Sequence, residues 1–140
     1  LPRWNDWELG IRYICSLHWP AVGIGRVLAD ILVHPDSITG DSFLTAAGHL
    51  EKSLTAALAF AATLPDSRQH HLRRLIAYKT AILAALYTRE GDAELGRKTL
   101  RTARDLLPDS ACRHILKCVY AYTCRGLRGA DRWAIPLIVH

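Results

Sequence analysis

Two short clusters hold the residue types that could do chemistry in this sequence. Asp6 stands beside Trp7 in Trp4-Asn5-Asp6-Trp7-Glu8-Leu9-Gly10, and His34 opens His34-Pro35-Asp36-Ser37-Ile38-Thr39. A carboxylate at the mouth of a cleft can act as a general base, taking the proton of a hydroxyl as its oxygen attacks. An imidazole closing an extended run can serve as a ligand. Each residue also has a plain structural reading. Asp6 can cap a helix, a role worth about 0.5–2 kcal/mol, and His34 can simply belong to a turn. On the residues alone both readings stay open.

The elements that must position these groups can be read from periodicity. Asn5 or Asp6 is a candidate N-cap, and Trp7, Leu9, Ile11, Tyr13 and Ile14 predict a helix to about Leu17, before Pro20. Residues 21–33 are rich in β-branched side chains and broken by Gly23 and Gly25, which predicts one extended segment or a short hairpin. Pro35, Asp36 and Ser37 make the next residues a turn. After Gly40 the pattern becomes helical. Leu44, Ala47, Leu50, Leu54 and Leu58, with Ala61 or Ala62, form the stripe of a first helix. Asp66-Ser67 is expected to cap a second that ends at Gly91, with Leu72, Leu75, Ile76, Ile82, Leu83 and Leu86 inward. A third presents Leu95, Leu100, Ala103, Leu106 and Leu107 up to Pro108. A fourth, from Asp109 or Ser110, presents Ile115, Leu116 and Val119 with Tyr120 or Tyr122, and ends near Gly126. The apolar tail of residues 130–140 contains Pro136 and stays unassigned. The fold class expected is mainly α: a short N-terminal helix and an extended segment, then a four-helix bundle.

Composition sets the outer bounds. The 140 residues are 50% apolar and 22% charged, the balance of a folded domain and not of a disordered chain. No run approaches the roughly 18–20 apolar residues of a membrane span. Charge is uneven: before Asp66 four Lys and Arg face six Asp and Glu, and from Asp66 onward fourteen face seven. The basic half offers a surface for peripheral membrane or protein contact, although acids are interleaved with its Lys and Arg as on a solvated helix face. It carries no zinc-finger spacing or RNA-binding motif, so no nucleic acid is expected as a partner. Cys15, Cys112, Cys118 and Cys124 contain no CxxC pair, and the last three recur every six residues. Six residues turn a helix by about 600°, which sets successive thiols roughly 120° apart. Such thiols are expected to be reduced, as in a cytoplasmic protein.

The second and third helices resemble a single tetratricopeptide repeat over about residues 77–110. Leu83, Ala84, Tyr87, Gly91-Asp92, Gly96, Leu100, Ala103 and Pro108 fall at its large, small and stop positions.

Residues 4–39, about a quarter of the chain, resemble the C-terminal part of family-2 glycosyltransferases, inverting enzymes of the GT-A fold that use nucleotide sugars. The order that carries the resemblance is Asp6-Trp7-Glu8-Leu9, a helix, a Pro- and Gly-broken run, then Val33-His34-Pro35-Asp36-Ser37 with Thr39. The resemblance implies that Asp6 is the catalytic base, that Trp7 walls the acceptor side, and that His34 approaches a Mg²⁺ or Mn²⁺ ion. It also implies a nucleotide sugar and an acceptor as partners of the full-length protein. Departures from the family pattern are Asn5 for an acid, Gly10 for a large residue, Asp30 and Leu32 for basic residues, and Asp36 for glycine. The nucleotide-binding strands and the Asp-x-Asp motif of the family are not among these residues. On this reading residues 1–40 are the remnant of an α/β GT-A domain and residues 41–140 a helical appendage. The chain alone is expected to be inactive, to bind no metal tightly, and to act in the cytoplasm or at the inner face of the membrane. The alternative is a small tetratricopeptide-like interaction module.

Overall fold

The computed structural model describes Arg12 and residues 43–139. Among these the chain is helical and contains no strand. Five helices follow in order: α1 (Phe43–Ala61), α2 (Asp66–Arg89), α3 (Ala93–Asp105), α4 (Ser110–Cys124) and α5 (Asp131–Val139).

The 24-residue α2 is the spine. Its second half is apolar nearly all round, and a helix of that kind must be covered on more than one side. Leu72, Ile76, Leu83 and Leu86 meet Leu50, Leu54, Ala57 and Ala61 of α1. Ala77, Tyr78 and Ala81 meet Ala103, Leu116, Val119, Ala134 and Ile138 of the other three helices, with Leu107 of the α3–α4 connection. The sequence stripe for α2 captures the first of these faces. It misses the second because that face is made mostly of alanines, whose small side chains admit helices closely.

Short connections are stopped by local chemistry. Gly91 has φ 98°. Its N–H reaches the Thr88 carbonyl and the Asp92 N–H reaches that of Tyr87, so α2 ends in a Schellman motif. Asp92 then begins α3, its side chain accepting from the Leu95 N–H at 2.9 Å. One residue thus closes one helix and caps the next, which lets α3 fold back along α2. Gly126, with φ 76°, ends α4 in the same way.

Three expectations are corrected. The bundle has five described helices, not four, because the tail containing Pro136 forms α5. Proline removes one helical hydrogen bond, yet Ala134 and Ile138 are fully buried on either side of it. Burial in the core outweighs the local penalty. Asp66 does not cap α2: Pro65 occupies that position with no side-chain bond, and Asp66 lies in the first turn. There its carboxylate complements the helix dipole. Leu95 points outward and is 37% exposed, because Gly96 and not Leu95 faces α2.

Candidate functional site

Asp6, Trp7 and His34 lie outside the described residues, as do Cys15 and the extended segment expected over residues 21–33. Arg12 is described and is helical. Its guanidinium lies 5.4 Å from the centre of the Phe60 ring near the end of α1, a cation–π distance. Among the described residues no three His, Cys, Asp or Glu side chains are grouped to hold a metal ion. None of the described helices is long and apolar enough to cross a membrane.

What the described residues build is a groove of about 450 Å³ between α2 and the corner that joins α4 to α5. Leu75, Ile82, Leu127 and Ile135 supply apolar wall, and Tyr78 and Lys79 supply polar groups. The corner is held by Tyr122, whose hydroxyl donates to the Arg128 carbonyl at 3.1 Å and whose ring meets Trp133 edge-on at 5.9 Å. Burial, and secondarily the charge of Asp131, pushes the Tyr78 hydroxyl up to about 12, so it remains a donor at neutral pH. Burial also lowers the Lys79 ammonium, with Asp131 partly opposing the shift. The sequence carries a signal for this partly buried cation. A single lysine inside the apolar run Ile76-Ala77-Tyr78-Lys79-Thr80-Ala81-Ile82 marks a cation partly withdrawn from water.

A second polar cluster sits at the start of α4. Asp109 accepts from the Ala111 N–H at 2.8 Å and from the Cys112 thiol at 3.4 Å. The backbone bond, then the thiol, hold its carboxyl below the ordinary value, with the positive charge of Arg74 helping. Burial and the same carboxylate push the Cys112 thiol up, so it stays a protonated donor. Cys112 is buried, Cys118 exposed and Cys124 between, and all three are free thiols. They point apart, as their six-residue spacing predicts.

A pH test follows for Asp109. A carboxyl depressed by folding stabilises above its unfolded value, near 3.9, and that stabilisation is lost as pH falls through the lower folded value. Asparagine caps equally well without charge. The thermal midpoint of Asp109→Asn should therefore lie below wild type at neutral pH, and the gap should close below about pH 4. A gap that does not change with pH would deny the carboxylate this role.

No family model, no curated protein and no solved structure matches the chain.

Proposed function

We propose that residues 1–40 form the acceptor-side end of a family-2, GT-A-type inverting glycosyltransferase domain, and that residues 41–140 are a helical appendage to it. The observation that carries the reading is the order of Asp6-Trp7, a helix, a Gly-broken run and His34-Pro35-Asp36-Ser37. Asp6 takes the proton of an acceptor hydroxyl while that oxygen attacks the anomeric carbon from the face opposite the leaving nucleoside diphosphate. Trp7 forms the wall against which the acceptor lies. His34 is the residue that would approach a Mg²⁺ or Mn²⁺ ion, whose chemistry is to neutralise charge on the departing diphosphate.

Support from the rest of the chain is architectural. Members of the family continue into alanine- and arginine-rich helices with one repeat-like pair, and α2 and α3 have the features of such a pair. Gly91 turns the chain, Gly96 meets Ala84 and Thr88, Ala103 is buried, and Pro108 follows α3. Arg12 on Phe60 joins the N-terminal segment to α1. In this reading the appendage works in the cytoplasm or at the inner face of the membrane, its basic helices turned to a partner.

The test uses the product of the whole reading frame that encodes these residues. Given a panel of nucleotide sugars with Mg²⁺ or Mn²⁺, it should release nucleoside diphosphate and form a glycoside of inverted configuration. The 140-residue chain alone should do neither. Absence of turnover by the whole product across the panel, or turnover with retained configuration, would sink the proposal.

The groove between α2 and the α4–α5 corner favours a second reading, an interaction module that holds a peptide or a partner helix. Asparagine side chains, which clamp the backbone of peptides in tetratricopeptide grooves, are absent from its walls. Sugar transfer by the whole product would remove this as the principal role.

A further inference from the structure

A second cleft, of about 530 Å³, opens where the start of α2 meets the loop from α3 to α4. His70, Arg73, Arg74 and Arg113 line it, together with Asp66 and Asp105. Three guanidinium groups face two lining carboxylates, and a third carboxylate, Asp109, stands close enough to Arg74 to feel its charge. Two of the arginines are already fixed. The Nε–H of Arg113 donates to the Leu107 carbonyl and an Nη1–H of Arg74 donates to that of Ile138, both at 2.6 Å. These bonds fasten the side chains to the α3–α4 connection and to the end of α5, so their rotamer freedom is lost on folding and not on binding a ligand. The Nε of Arg74 is buried and has no acceptor among the described residues. Arg73 is exposed and forms no ion pair or hydrogen bond with the described residues.

Anchored guanidinium groups with donors to spare present the planar fork that matches a tetrahedral oxyanion. A carboxylate could use one fork. A phosphate can accept from two at once, and the cleft is large enough for one together with the group it is attached to. We propose that this cleft binds a phosphate group, either on a soluble ester or on a lipid headgroup. Arg113 and Arg73 grip its oxygens, and Arg74, held on the Ile138 carbonyl, adds its positive charge beside them. Asp66 and Asp105 at the cleft and Asp109 beside Arg74 offset the arginines, so recognition rests on geometry more than on long-range attraction. The inference is independent of the glycosyltransferase reading, because every residue in it belongs to the helical bundle.

Calorimetric titration of the 140-residue chain with inorganic phosphate and with pyrophosphate, against chloride at equal ionic strength, tests it. Saturable binding is expected, weakened roughly tenfold by Arg73→Gln, since each charge-assisted fork contributes about that much. Arg73 has no role in the fold, so its variant should melt as wild type does. Arg113→Gln should weaken binding as well. Sedimentation with phosphatidylcholine vesicles, with and without phosphatidic acid, separates the sources. Vesicle binding that depends on phosphatidic acid and is displaced by free pyrophosphate identifies a headgroup site. Soluble binding without sedimentation identifies a soluble ester. No saturable heat at about 10 mM of either anion, equal affinity in Arg73→Gln, or vesicle binding that pyrophosphate does not displace would each overturn the proposal.

Discussion

Replacing Gly96 by alanine should destabilise the bundle by about 1–3 kcal/mol, although the same change inside an exposed helix usually stabilises by up to about 1 kcal/mol. The sign is reversed by what lies opposite. Gly96 is buried in α3, and a Cβ there would collide with the Thr88 hydroxyl and stand 2.8 Å from the Ala84 carbonyl oxygen. The hydroxyl is itself engaged: it donates to the Ala84 carbonyl at 3.1 Å and is hydrogen-bonded to the Tyr120 hydroxyl at 2.9 Å. Three helices therefore meet at this point, with glycine leaving the space that the α2–α4 hydrogen bond fills. An added methyl must either displace Thr88, losing the link to α4, or push α3 off α2.

The two contributions can be separated by urea unfolding. Thr88→Ala in the Gly96→Ala background removes the collision with the hydroxyl but not the approach to the Ala84 backbone, so it should recover only part of the loss. Gly48 provides the control, since a Cβ there meets nothing within 4 Å. Gly48→Ala should be neutral or stabilising. A Gly96→Ala protein as stable as wild type would mean that α3 does not approach α2 as described.

This junction also marks what was legible in the sequence. Gly91, Gly96, Ala103 and Pro108 gave away a pair of close antiparallel helices, because glycine and proline have few structural uses and their spacing fits one of them. The stripes of α1 and α4 were equally plain. The helix α5 was not, since Pro136 argues against a helix in any local reading, and only Ile138 at the core and Arg74 on its carbonyl show what holds it. Arg74 and Arg113 could not be told from surface arginines either. Periodicity reports which face a residue occupies, but not that a distant helix end supplies a carbonyl for it. Charge in the basic half was readable as a total, while the meeting of Arg73, Arg74 and Arg113 at one cleft is a product of the chain folding back on itself.

Asp6 is the residue on which the two readings of the N-terminal segment part, and a single substitution distinguishes them. If Asp6 only caps the helix, Asp6→Asn is nearly silent, because asparagine accepts the same backbone bonds. If it is the base, asparagine cannot take the acceptor's proton, and turnover in the product of the whole reading frame should fall by about 10²–10⁴-fold. Stability should be unchanged in both cases, so the loss cannot be assigned to unfolding. The pH profile adds an independent readout: wild-type kcat/KM should fall on the acid side as the base is protonated, and the residual rate of Asp6→Asn should lack that limb. Trp7→Ala should instead raise KM for the acceptor and leave nucleotide-sugar binding intact, as expected of a wall and not of a proton acceptor. Equal turnover in wild type and Asp6→Asn would return Asp6 to a helix cap, and with it the N-terminal segment to a scaffold for the helices that follow.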